Sequence, residues 1–472
     1  MSKIAAYLSD LNAAGFDPTD ILTDPVDTAP YCADWRGLKR TETPAVLLPR
    51  TTTMVQATLR LATKHRVSIT PQGGNTGLVL GSIPLVGDEV VLNLKHMNKI
   101  RFIDPTNATV CVDAGCILQS IKETADDAGF LFPLSLGAKG SCQIGGNLST
   151  NAGGINVLRY GNIRSQCLGI EAVLADGRVI SNLSGLRKDN RGMDIRQLFI
   201  GSEGTLGIIT GAALQLYPKP HGHVTFAIAI DNPKDAMTVL HVLRSTVGDQ
   251  VTSFEIISQP ALKAVEHHST IARLPFACPA FTIIGEISLF GAVDQQTETI
   301  YASLVRLSED MASVRDVVIA QSEAERDALW LIREEVVLCQ KHAGPSIKHD
   351  VSVPLSAIPD LFEQGMLKAT EVLPGCQPAP FGHAGDGNLH FNITAPAGWS
   401  SERFFEYTIL FNRAIHDLVH DLGGSFSAEH GIGSQKREEL PLRLDADTLS
   451  VMKTLKGALD PLGILNPGKV FS

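Results

Sequence analysis

From Ala45 the chain runs through an apolar stretch, a periodic stretch and a second apolar stretch. Ala45-Val46-Leu47-Leu48-Pro49 reads as a short buried strand. Val55, Leu59 and Ala62 then recur at helical spacing and predict a helix over 53–65. Val67-Ser68-Ile69-Thr70 is a second strand, so the region opens with a βαβ-like unit. Further apolar runs predict strands at 89–94, 109–112, 169–174 and 207–216. The stretch 133–154 has little periodicity and many glycines among small polar residues, and is expected to be loop.

Beyond Pro220 the pattern alternates. Strands are predicted at 223–230, 251–258, 280–289 and 314–320, with helices near 260–268 and 293–311. Asn232 and Pro233 mark the N-cap and first position of another helix. That order predicts a ferredoxin-like sandwich. The remainder reads as more helical. Ser322 and Glu325 form a capping-box pattern opening a helix to about His342, stopped by Gly344-Pro345. Helices over 402–422 and 446–459 follow, then the tail from Asp460 to Lys469. The expected fold class is α+β in three parts: 1–220, 221–425, and a C-terminal helical segment, 426–472, packing back on the first.

Composition narrows the function. With 40 basic and 50 acidic residues the net charge is −10, which argues against a general nucleic-acid binder. No apolar run approaches the roughly 20 residues of a membrane-spanning helix. The opening decapeptide lacks the apolar stretch of a signal peptide and is not Arg-rich. Eight scattered cysteines without a Cys-x-x-Cys pair read as reduced thiols. The expected location is cytoplasmic, or the mitochondrial matrix if a leader has been removed. Of the 42 glycines, 22 fall between Gly73 and Gly211. Such clustering marks tight turns or close approach of backbone to a ligand.

Three glycine-rich pieces are candidates for that ligand. Pro71-Gln72-Gly73-Gly74-Asn75-Thr76-Gly77 follows a strand, where successive small residues can turn backbone N–H groups into a concavity suited to phosphate. An ordinary tight turn would read the same way. The stretch from Pro133 to Gly154, which includes Ser135, Gly137, Gly145, Gly146, Ser149 and Asn151, needs partners for its backbone groups. The third piece is Gly201-Ser202-Glu203-Gly204-Thr205-Leu206-Gly207-Ile208-Ile209. Together these pieces resemble the FAD domain of the vanillyl-alcohol oxidase superfamily (the PCMH-type FAD-binding domain), in its α-hydroxy-acid dehydrogenase branch. The resemblance implies that the first two loops hold the FAD diphosphate and that Gly207, Ile208 and Ile209 lie along the cofactor, with Asn466 of the tail among its contacts. No His stands in the first loop, which implies non-covalent FAD.

A second constellation lies downstream. Gly382-His383-Ala384-Gly385-Asp386-Gly387-Asn388-Leu389-His390 is too rich in glycine for a helix, and a loop leading into a strand would let both imidazoles converge. With Glu429, in Ser427-Ala428-Glu429-His430-Gly431, they make a two-His, one-carboxylate set suited to Zn²⁺ or another divalent cation. Three unrelated polar residues are the plainer reading. The resemblance favours the metal, since both segments look like the metal site of the D-2-hydroxyglutarate dehydrogenases. His416 and His420, at i and i+4 of a predicted helix, imitate a metalloprotease motif but read as an ordinary amphipathic helix. Arg333, at the edge of an apolar stripe, is either snorkelling to solvent or a carboxylate clamp. The resemblance makes Arg333, Lys348 and Asn392 substrate contacts. Val337 departs from it, standing where some relatives carry a Thr that touches substrate.

The expected function is FAD-dependent oxidation of a D-2-hydroxy acid, with D-2-hydroxyglutarate the leading substrate, His430 the catalytic base that also contacts substrate, and a cation on His383, His390 and Glu429. D-lactate or glycolate dehydrogenases are the nearest rivals. A flavin-free metallohydrolase and a flavoprotein subunit of a larger electron-transfer complex are the readings from other classes. A separate electron acceptor, such as an electron-transfer flavoprotein or a quinone, is expected, and the family allows a homodimer.

Overall fold

The computed structural model describes residues 2–37 and 39–471, and the chain divides into two units. The first runs to Gly153 and resumes over Gly161–Lys219 and from Glu429 onward; the second is Gly154–Tyr160 with Pro220–Ala428.

In the first unit the predicted βαβ start is Val46–Leu47, a helix Thr52–His65 and Ile69–Gln72. The helix begins where the Thr51 hydroxyl accepts the Met54 N–H, and ends at Arg66 in the left-handed conformation. Both strands lie parallel to Val90–Asn93, between them in the sheet. An antiparallel five-stranded sheet has the order Ile100–Asp104, Thr109–Asp113, Ile208–Gln215, Cys167–Val173, Val179–Asn182. One apolar core, including Leu47, Leu59, Leu92, Val112, Ile144, Leu148 and Leu214, serves both sheets.

The stretch 133–154 is not all loop, because Ile144–Ser149 is helical. Two glycines make that helix poor by propensity, but packing decides. Ile144 and Leu148 enter the core, and the Ile144 and Gly145 N–H groups donate to Cys116 O and Ala114 O at 2.9 and 2.7 Å.

In the second unit Gly222–Ile230, Val251–Ser258, Phe281–Leu289 and Val314–Ile319 stand fourth-first-third-second across the sheet, all antiparallel, which is the ferredoxin-like order. Phe381–His383, Asn388–Thr394 and Ser346–Ser352 extend that sheet from Val251–Ser258. Helices cover both faces, so the central strands are buried throughout. Alternation along Val251–Ser258 sends Phe254 and Ile256 into the larger core. It sends Ile257 to the other face, against Leu329, Ile332 and Val336 of the helix Glu323–His342. In that helix's capping box, Glu325 reaches back to the Gln321 N–H at 2.7 Å rather than to Ser322. The helix predicted over 402–422 is two pieces, Ser401–Phe405 and Thr408–Asp421. The Thr408 hydroxyl donates to Phe405 O at 2.7 Å, taking a carbonyl that a continuous helix would have used.

The tail is tied into the first unit by one buried carboxylate. Asp460 accepts the N–H groups of Ile464 and Leu465 at 3.0 and 2.8 Å and the Lys456 ammonium at 2.5 Å. Lys456 also donates to Thr205 O at 2.8 Å, and Leu465 pairs beside Ile69. Asp460→Ala leaves the half-buried Lys456 ammonium without its counter-charge and two buried N–H groups without an acceptor. It is expected to cost about 3–5 kcal/mol, lowering the thermal midpoint by roughly 6–20 °C in calorimetry.

Candidate active site

A cleft opens in the first unit. Its walls include Pro71 to Gly77, Cys142, Gln143, Gly145 to Asn147, Ser149, Gly204, the start of the strand at Gly207-Ile208-Ile209, and His430. The loop folds tightly here for steric reasons. A Cβ at Gly74 would sit 2.0 Å from Ser141 O, and Asn75 adopts φ +53°. Gly146 is different: a Cβ there meets nothing within 4 Å, so its missing side chain leaves the cleft open. Gln143 Oε1 and Asn147 Oδ1 lie on this wall, buried and without a hydrogen-bond partner among the described residues. Orphaned polar atoms beside an open concavity are what a polar ligand would satisfy.

Glu203 closes one end of the cleft. Its carboxylate accepts the Ile432 and Gly433 N–H groups at 2.7 and 2.8 Å, holding the turn that follows His430. Burial pushes its carboxyl pKa up, against the pull of those two N–H groups. Of the sequence candidates, Pro71, Gly73 to Gly77, Gly145, Gly146, Ser149 and Gly207 to Ile209 are on the wall. Ser135, Gly137, Asn151 and Asn466 are not. The Asn466 amide donates to Gly81 O and Glu203 O, and Asn151 accepts the Arg164 N–H. Gly154 belongs to the second unit.

In the second unit the strands put chemistry on one face of the sheet. Lys348 pairs with Asn392 and Asp350 with His390, while Phe381 pairs with both His390 and Ile257. With a two-residue period, Glu255, Phe381, His383, His390, Asn392, Lys348 and Asp350 therefore share the face covered by Glu323–His342. The His383 and His390 rings stand 5.5 Å apart and nearly perpendicular. The chain leaves this unit at Ala428, whose N–H donates to Asp350 O at 3.2 Å; Glu429 is the next residue. The ligand atoms of His383, His390 and Glu429 lie within 4.8 Å of one another, the one such group among the described residues.

Arg333 does not snorkel. It is buried, its Nε donates to Glu255 Oε2 at 2.5 Å, and its guanidinium carbon lies 4.7 Å from the Phe381 ring centre. Glu255 also takes the His383 Nδ1–H on Oε1 at 2.5 Å. Burial pushes the Glu255 carboxyl up, but His383 and Arg333 outweigh it and hold its pKa at about 2. Asn392 donates to Gln340 Oε1 at 2.7 Å, and Gln340 in turn to Ala379 O. Lys348 is exposed on its strand. His416, the imitation motif, is buried with its ring 5.2 Å from that of His349. Sequence reasoning missed Glu255, Asp350, Gln340 and Glu203. The signal for Glu255 was available, as a charge inside the apolar run Phe254-Glu255-Ile256-Ile257.

Residues 43–182 match the FAD binding domain family, and residues 219–470 match the C-terminal domain of FAD linked oxidases. The mitochondrial D-2-hydroxyglutarate dehydrogenase of Danio rerio is 35% identical over 460 residues, 96% of this chain and 83% of that protein. The D-2-hydroxyglutarate dehydrogenase of Stutzerimonas stutzeri is 33% identical, covering 97% of each. This chain belongs to the FAD-linked D-2-hydroxyacid dehydrogenases. A Schizosaccharomyces pombe member, assigned provisionally as a mitochondrial D-lactate dehydrogenase, is 36% identical over 96% of this chain and 86% of its own. The fold extends further: p-cresol methylhydroxylase superposes with a TM-score of 0.77 at 17% identity, over 99% of this chain and 96% of that one.

As a member of this family the protein is an FAD-linked oxidoreductase, and the cleft suits FAD. Its glycine backbone suits a diphosphate, and the orphaned amide oxygens of Gln143 and Asn147 suit N–H or O–H groups elsewhere on such a cofactor. Gly146→Val is expected to fold normally by circular dichroism yet purify without flavin absorbance. Gly145→Ala instead drives a Cβ to 2.7 Å from Ala114 Cβ and is expected to lower stability itself.

Proposed function

We propose that this dehydrogenase oxidises D-2-hydroxyglutarate to 2-oxoglutarate, with FAD held non-covalently in the cleft and a divalent cation, zinc by its donor set, on His383, His390 and Glu429. The observation that carries the reading is the convergence of two imidazoles and a carboxylate, with His430, the residue after Glu429, lining the flavin cleft. When bound, FAD supplies a two-electron acceptor for the substrate Cα hydride, and the cation supplies Lewis-acid polarisation of the hydroxyl.

The chain's own residues do the rest. His430 takes the hydroxyl proton as general base. The ordered turn behind it, fastened to Glu203, keeps the imidazole at the cleft wall. Arg333 reaches substrate carboxylate through its Nη edge, since Nε is engaged with Glu255. Lys348 adds a second cation, and Asn392, fixed by Gln340, a neutral polar contact on the same face. Two cations favour a diacid over a monoacid. Electrons leave for a separate acceptor, an electron-transfer flavoprotein or a quinone. A mitochondrial setting is in keeping with the relatives, several of which carry mitochondrial names.

D-lactate is the second reading, since Val337 stands where the resemblance implies a polar substrate contact. Steady-state assays with a dye acceptor across D- and L-2-hydroxy acids separate the two. D-2-hydroxyglutarate is expected to give the highest kcat/KM; higher D-lactate turnover would favour the second reading, and failure with every D-acid would overturn both. His430→Ala is expected to keep its flavin while kcat falls by about 10²–10⁴-fold. Removing metal with a chelator is expected to abolish turnover, and zinc to restore it.

A further inference from the structure

Glu255 is fully buried in the middle of Val251–Ser258, and its two oxygens go to two different residues. Oε1 meets His383 Nδ1 and Oε2 meets Arg333 Nε, each at 2.5 Å. An ionised carboxylate only accepts, so the His383 proton must sit on Nδ1. That leaves Nε2 with its lone pair, the form a cation needs. The other arm fixes the guanidinium in its plane, while Phe381 holds it from the face at 4.7 Å. Phe381 also packs 5.1 Å from the His390 ring. The groups are thus one braced unit spanning the helix Glu323–His342 and three strands.

We propose that Glu255 is the positioning residue of this site, setting the tautomer of His383 for the cation and aiming Arg333 at the substrate carboxylate. The inference rests on the cation reading above. It makes a specific statement about Glu255→Gln, which keeps the shape. Arg333 cannot give up its proton, so the single amide oxygen turns to Arg333 and the amide NH₂ turns to His383. The Nδ1 atom must then accept, the proton moves to Nε2, and the cation loses its lone pair.

The test is zinc affinity of the FAD-loaded enzyme, freed of metal and titrated against a chromophoric chelator. Wild type is expected to bind one zinc, and Glu255→Gln to bind it about 10–100-fold more weakly. Arg333→Gln leaves the Glu255–His383 bond in place. It is expected to hold zinc within about threefold of wild type while raising KM for the diacid, since only a clamp on the substrate is lost. Should Glu255→Gln fold poorly, Glu255→Leu/Arg333→Met removes both members of the ion pair and leaves His383 Nδ1 without its acceptor; its zinc affinity is expected to stay low. Wild-type zinc affinity in a folded Glu255→Gln or in the double variant would overturn the inference. A wild type that binds no zinc overturns the cation reading, and this inference with it.

Discussion

A carboxylate in the middle of a covered sheet persists only when opposite charge meets it, because desolvating an isolated ion costs more than a fold can spare. Glu255 is fully buried and meets the Arg333 guanidinium on one oxygen and the His383 Nδ1–H on the other. The second unit is arranged around that requirement. The ferredoxin-like strands carry Glu255 to the face beneath Glu323–His342, the added strands bring His383 and His390 alongside, and the helix delivers Arg333 from above. Moving any of these elements by one residue would turn a side chain to the opposite core.

The first unit solves a different problem. It must leave room rather than fill it. Gly74 and Gly145 are glycines because backbone or side chain already occupies the place of a Cβ, whereas Gly146 is one because the place must stay empty. The same cleft holds a second buried carboxylate, Glu203, and here the donors are backbone N–H groups rather than charged side chains. The two glutamates are therefore opposite in character: His383 and Arg333 hold the Glu255 carboxyl low, while burial dominates at Glu203.

Elements with a clean period were legible. Val251–Ser258 and Glu323–His342 stand where the apolar pattern places them, since burial on two faces or one leaves a clear trace. The short helix Ile144–Ser149 was hidden because its glycines argue against helix and only tertiary packing argues for it. The gathering of His383 with His390 could be read from a local glycine context. The partners of Glu255 could not, as they lie 78 and 128 residues away along the chain. The same holds for Asn392, whose orientation depends on Gln340, 52 residues distant. A motif displays the residues that touch a ligand; the residues that aim them are specified by the fold.

The central claim is that a D-2-hydroxy acid delivers its electrons to flavin in this cleft. Mixing the purified FAD-loaded enzyme with D-2-hydroxyglutarate in the absence of oxygen, and of any acceptor, tests it in a single turnover. The expected result is loss of the oxidised-flavin absorbance with one equivalent of 2-oxoglutarate formed, and no change with the L enantiomer. Flavin that stays oxidised, or that is reduced equally by both enantiomers, would contradict the account.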